Sequence, residues 1–159
     1  MNQRFANKVV AITGATSRIG LRTLELFIGE GARVVAIDRE LAAGLELQAR
    51  FPNTVHFAKC DVLNLSELKA AIDSAQTVFG GLDILFNNAG SAGTRQTVND
   101  FDGQSWDDTH ALLVRAVAAG TAFALPHMKL RGGGAIVNTA SISGLMAGYG
   151  PLSYSVAKA

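Results

Sequence analysis

Cysteine occurs once in the 159 residues, at Cys60, so the chain can form no internal disulfide and has no cysteine cluster for zinc. That scarcity suits a reducing compartment. An excess of one charge is also missing. Fourteen Lys and Arg stand against thirteen Asp and Glu, and the basic residues form no run. An electrostatic grip on nucleic acid, or a polybasic contact with a membrane, is therefore not expected. The stretch from Met1 to Lys8 is polar and lacks the apolar core of a signal peptide. The longest apolar stretch, Ala111 to Leu125, is interrupted by Arg115 and on this reading falls short of a membrane span. The three histidines, His56, His110 and His127, have no metal-ligand spacing, so no metal site is expected and all three read as structural or exposed. A cytoplasmic protein is the expectation that these absences leave.

Apolar residue is plentiful. At 48% hydrophobic and 17% charged, the composition excludes disorder, and the length matches one domain over residues 1–159. Short β-branched runs alternate with longer helical stretches. Val9 to Thr13 precedes Ile19 to Gly29; Arg33 to Ile37 precedes Glu40 to Arg50; Thr54 to Phe57 precedes Leu65 to Phe79. Asp83 to Phe86 then precedes Ser105 to Arg131, and Ala135 to Asn138 precedes a helix beginning near Ser153. The short runs are almost continuously apolar, as strands buried on both faces must be. Gly31 falls where a helix wants a left-handed residue after its last turn. Strand–helix alternation of this kind predicts right-handed crossovers and a parallel sheet covered on both sides. In such sheets ligands bind outside the carboxyl ends of the strands, so the loops that follow the strands are the places to look for chemistry.

The first of these loops reads Thr13-Gly14-Ala15-Thr16-Ser17-Arg18-Ile19-Gly20. A glycine-bearing turn that feeds a helix N-terminus lets backbone approach a ligand, points N–H groups outward and favours an anion. Alone it also reads as a tight connection. The second strand ends in Asp38, whose carboxylate can accept hydrogen bonds from the hydroxyls of an adenosine ribose and would repel a 2′-phosphate. NAD is thus favoured over NADP. Arg39 either flanks the adenine or starts the next helix. The third strand ends in Asp61-Val62 and the fourth in Asn87-Asn88-Ala89-Gly90. The fifth leads to Ser141. Tyr154 follows thirteen residues later, and Lys158 lies four beyond it, on the same helix face. A phenol next to an ammonium can exchange a proton with an alcohol or ketone, while a serine hydroxyl holds the substrate oxygen. In isolation a Tyr-x-x-x-Lys pair is an ordinary half-exposed helix face. Phe101 and Trp106 read as packing anchors, Met128 and Met146 as core filling, and Cys60 as a small buried hydrophobe.

In order and spacing these residues resemble the short-chain dehydrogenase/reductase family, from Lys8 to the last residue. The resemblance implies a Rossmann-type three-layer αβα sandwich with strand order 3-2-1-4-5, and NAD(P)-dependent interconversion of a secondary alcohol and a carbonyl. It implies Tyr154 as acid/base, Ser141 at the substrate oxygen and Lys158 at the tyrosine and the nicotinamide ribose. The cofactor would run along Gly14, Thr16, Ser17, Arg18, Ile19, Gly20, Asp38, Arg39, Asp61, Val62, Asn88, Ala89 and Gly90. It also implies a homodimer or homotetramer, built on the helices around Asp107 to Arg131 and from Ser153 onward. Three departures stand out. Arg18 replaces the middle glycine of the loop, and it either points away, crowds the site or supplies a phosphate contact of its own; it is also the best argument for NADP. Leu113 occupies the place where many members carry a water-holding asparagine. The chain also stops one residue after Lys158, where the family continues, so a C-terminally incomplete domain is expected. A dinucleotide-binding module without turnover is the alternative reading.

Overall fold

The computed structural model describes residues 3–146 and 148–159; Met1 and Asn2, at the start of the polar N-terminal stretch, and Ala147 lie outside them. The first three strand–helix units are β1 (Val9–Thr13), α1 (Arg18–Gly29), β2 (Arg33–Asp38), α2 (Leu41–Arg50), β3 (Val55–Lys59) and α3 (Leu65–Phe79). Then come β4 (Ile84–Asn87), α4 (Gly103–His110), α5 (Ala116–Leu130), β5 (Ala135–Asn138) and α6 (Leu152–Lys158). The strands form one parallel sheet in the order β3-β2-β1-β4-β5, as the sequence pattern and the resemblance predict.

Every residue of β1 is buried, and its alternation feeds two cores. Val9 and Ala11, with Val35 and Ile37 of β2, pack against α3 and α5 through Leu68, Ile72, Ala124 and Met128. Val10 and Ile12, with Val34 and Ala36, pack against α1 and α2 through Leu24 and Leu47. Fully burying each Val, Leu or Ile contributes about 1.5–3 kcal/mol, so these two layers fix the sheet that carries the loops.

Polar residues set the helix ends. Ser17 caps α1 by accepting the Gly20 N–H. The Asn64 side chain accepts the amides of Ser66 and Glu67 at the start of α3, while Glu67 accepts the N–H of Asp61. Gly31 adopts a φ of 90° directly after α1, as expected. The Asp102 side chain accepts from the Ser105 amide and starts α4 two residues ahead of the predicted Ser105.

Between α4 and α5 lies a single π-helical turn, Ala111–Arg115, so that Gly103–Leu130 is one continuous 28-residue helix. This corrects the expectation that its apolar stretch falls short of a span: the helix is long and apolar enough to cross a membrane, with a best-window mean hydropathy of 1.4. One side of it packs on α3 and β4. Two packing expectations also change. Phe101 is exposed, with its ring tilted against Trp106 at a centroid distance of 5.6 Å, and Met146 is half exposed, whereas Met128 is core. β5 forms one edge of the sheet and is largely exposed, in contrast to β1 and β2.

Candidate functional site

The β1–α1 loop turns at Gly14, which has a φ of 66° and sits so close to the β4 loop that a Cβ would come within 3.0 Å of Ala89 Cα. Gly20 packs even more closely, because a Cβ there would lie 2.1 Å from the Gly14 carbonyl oxygen. Gly20 lines neither cleft described below; it lets the first turn of α1 press onto the loop. Asn88 clamps the same loop from the other side. Its amide nitrogen donates to the carbonyls of Thr13 and Gly14 at 3.0 and 3.1 Å, while its own N–H donates to Thr13 Oγ1. Thr13 Oγ1 also accepts from Ala89 N.

Asp38 is 9% exposed and already partly engaged. One carboxylate oxygen, Oδ2, accepts from the Thr16 amide at 2.9 Å and the Thr16 hydroxyl at 2.7 Å, and Oδ1 accepts from Glu40 N at 3.2 Å. The bond from Thr16 to Asp38, which ties the loop to the end of β2, has no signal in the sequence because nothing local reports that the two strand ends are neighbours.

These residues surround a cleft of about 400 Å³ over the carboxyl ends of β1 to β4. It is lined by the predicted Gly14, Thr16, Ser17, Asp38, Arg39, Asp61, Val62, Asn88, Ala89 and Gly90, and by Glu40, Cys60, Leu63, Ser91 and Leu112, which the sequence reading did not place there. Asp61 is fixed by the Leu63 amide, which donates to its Oδ1 at 3.0 Å. Cys60 is buried as expected; burial, then the carboxylates of Glu67, Asp61 and Asp38, push its thiol up to about 12.

A second cleft, of about 340 Å³, adjoins the first. Ser17, Asn88, Gly90 and Ser91 line both. The second brings Arg18 and Ile19 together with Tyr154 and Lys158, as predicted, and adds Ala92, Leu113 and Thr139. Leu113 is 5% exposed and sits in the π-helical turn, a distortion of the kind that recurs near functional sites. Lys158 Nζ donates to the Thr139 carbonyl and lies 5.9 Å from the centre of the Tyr154 ring. Thr139 Oγ1 is buried with no partner among the described residues. Ser141 lines neither cleft. Its hydroxyl oxygen accepts the Ser143 amide at 3.2 Å and caps a short 3-10 turn, Ile142–Gly144.

The donor set fits a dinucleotide. A carboxylate at the end of β2 suits a ribose, and a glycine turn at a helix N-terminus suits phosphate. The histidines lie elsewhere. His110 Nδ1 is 2.9 Å from the Trp106 carbonyl and its ring stacks on the indole. His127 Nε2 meets Asp73 at 2.8 Å, and His56 is half-buried on β3.

The model of the family described as short chain dehydrogenase matches residues 8–159. The chain belongs to that family. Among short chain dehydrogenases it is 34% identical over 161 residues to 3beta-hydroxysteroid dehydrogenase 2 of Eggerthella lenta, with 99% of this chain and 62% of the relative covered. It is 37% identical over 163 residues to cis-4-hydroxycyclohexanecarboxylate dehydrogenase of Sinomonas cyclohexanicum, with 100% and 65% covered. Among solved structures, that of an NAD+-bound xylitol dehydrogenase superposes with a TM-score of 0.90 at 28% identity, covering 98% of this chain and 61% of the other. The chain thus spans about three fifths of the length of the relatives it matches.

Proposed function

We propose that this chain supplies the dinucleotide-binding and proton-transfer parts of an oxidoreductase that interconverts a secondary alcohol and a carbonyl, with NAD as the preferred cofactor. The observation that carries the reading is the meeting of Tyr154 and Lys158 with a cleft whose far end is marked by a buried strand-end carboxylate. Relatives and a solved neighbour with dehydrogenase names support it.

Bound NAD would supply the acceptor for the hydride that leaves the alcohol carbon. Tyr154 takes the hydroxyl proton during oxidation and returns one during reduction. Lys158 holds a positive charge at the face of the tyrosine ring and is itself held by the Thr139 carbonyl. Ser141 lines neither cleft, so its role at the substrate oxygen rests on the resemblance; its oxygen accepts from Ser143 N and its hydroxyl hydrogen is left to donate.

Lone-pair accounting at Asp38 favours NAD. Each carboxylate oxygen accepts about two hydrogen bonds, so Oδ2 is filled by Thr16 and Oδ1 has room for one more. One ribose hydroxyl fits there, and Thr16 Oγ1, which donates to Asp38, remains an acceptor for the second. A 2′-phosphate would bring two negative charges against a buried carboxylate that offers no donor.

A dinucleotide-binding module without turnover is the second reading. The apolar Leu113 in the Tyr154 cleft favours that reading. Titration with NADH, followed by nicotinamide fluorescence, and assay of alcohol oxidation separate the two. Tyr154→Phe should retain NADH binding and abolish oxidation. Unchanged oxidation would refute the role of Tyr154; binding with no oxidation in the native protein would leave the module reading; no binding would refute both.

A further inference from the structure

Arg18 is the residue that the family pattern leaves unexplained, and its surroundings give it a use. We propose that Arg18 grips the diphosphate of the bound dinucleotide, replacing the close backbone approach of a glycine with a charge-assisted contact; this rests on the dinucleotide reading above.

The place is set by the two clefts. Asp38 marks the adenosine end and Tyr154 with Lys158 the nicotinamide end. The group that joins the two nucleosides has to cross where the clefts meet, at Ser17, Asn88, Gly90 and Ser91. Arg18 follows Ser17 directly and lines the nicotinamide side.

The donors are set by the helix. At the N-terminus of α1, Ser17 N donates to the Gly14 carbonyl and Gly20 N to Ser17 Oγ, while Leu21 N makes the first intrahelical bond. The amides of Arg18 and Ile19 are left with no acceptor among the described residues, and the first turn contains no acidic side chain. Both amides therefore remain for an anion, which the helix dipole favours.

The guanidinium is free as well. Arg4, Arg22, Arg39, Arg50 and Arg131 each pair with a carboxylate; Arg18, like Arg33, Arg95 and Arg115, makes no ion pair or side-chain hydrogen bond among the described residues. Arg18 and Lys158 are the only charged side chains lining the second cleft. An arginine is tolerated here because Arg18 lies in the helix with negative φ, and the contact in which a Cβ would collide is made by Gly20. Its planar fork can bind two phosphate oxygens at once.

The test compares NADH, ADP-ribose and adenosine on the native chain, Arg18→Ala and Arg18→Lys, at low and high salt. Arg18→Ala should bind NADH and ADP-ribose roughly tenfold more weakly, with a shallower salt dependence, and should bind adenosine as the native chain does. Arg18→Lys should recover the salt dependence but not the full affinity, since an ammonium is a point charge. Equal melting temperatures would confirm that the exposed position is structurally neutral. If Arg18→Ala binds NADH as tightly as the native chain with the same salt dependence, or loses adenosine in parallel, the assignment fails while the dinucleotide reading stands. A native chain that binds none of the three ligands refutes the dinucleotide reading, and the role of Arg18 with it.

Discussion

Gly20→Ala places one methyl group at the closest contact in the candidate site. On helix propensity alone it should stabilise α1, by up to about 1 kcal/mol. The geometry predicts the reverse. The new Cβ would lie 2.1 Å from the Gly14 carbonyl oxygen and 3.0 Å from Ala15 Cα, and both are backbone atoms with no side-chain freedom to yield. Relief requires α1 or the loop to move by more than an ångström, and the loop is pinned by Asn88 and by the bonds from Thr16 to Asp38. Overpacking of this kind costs about 1–3 kcal/mol, which outweighs the propensity gain at most of that range. At about 2–4 °C per kcal/mol for a chain of this size, a net loss of about 1–2 kcal/mol lowers Tm by roughly 2–8 °C. Gly29→Ala is the control: it lies in the same helix and a Cβ there meets nothing within 4 Å, so Tm should hold or rise slightly. Thermal unfolding followed by circular dichroism reads both, and NADH titration of Gly20→Ala should show weakened binding as the loop shifts. A Gly20→Ala protein that melts at or above the native temperature would refute the steric argument.

Two further outcomes follow from buried groups. Burial opposes ionisation of Asp83, yet its hydrogen bonds from Arg131, Val9 N–H and Lys8 outweigh that, so its pKa is depressed. A depressed carboxylate stabilises the fold above its unfolded pKa, near 3.8, and that contribution disappears as pH falls through the folded value. Asp83→Asn should therefore cost about 3 kcal/mol in urea unfolding at neutral pH and progressively less below about pH 4, and a gap that stays constant with pH would count against the ion pair. Cys60, 1% exposed with its thiol pushed up to about 12, should not react with a disulfide reagent at pH 8 until denaturant is added; fast labelling of the folded chain would contradict its burial.

Apolar periodicity made most elements readable from sequence. β1, α3 and β5 have the predicted bounds, because each is a run of core-facing residues closed by a polar turn. The misses are at ends set by partners. β3 extends past the apolar run to Lys59 because Lys59 pairs with Asp38; a hydrophobic pattern is blind to polar residues held only by a ladder. The cleft-lining residues were legible for the same reason that the fold was, since they follow strand ends. The bonds that shape the site were not. Thr16 to Asp38 spans 22 positions and Asn88 to Thr13 spans 75, and each depends on which strands become neighbours. The surfacing of Phe101 and Met146 was equally hidden, because an apolar residue in a loop carries no periodicity to say which side it faces.

The two ends of the site are held by unequal means, and this bears on what the chain can do. The adenosine end is built on β1 and β2, whose residues are almost all buried, and its loop is tied by five hydrogen bonds from Thr16 and Asn88 to Asp38, Thr13 and Gly14. The Tyr154 end stands on α6, at Leu152–Lys158. α6 packs against α4, the π-helical turn and the 3-10 turn. Leu152 N donates to the Gln96 carbonyl, Ser153 meets Thr109 at 3.4 Å, Lys158 reaches Thr139, and Gly144 comes so close that a Cβ would lie 2.2 Å from Lys158 O. Two of these partners, Gln96 and Thr139, lie on loops, and Gly144 lies in the short 3-10 turn. Nucleotide affinity and catalytic geometry are therefore separable in this chain: a perturbation of the α6 docking bonds reaches Tyr154 and Lys158 while leaving Asp38 and the glycine loop in place.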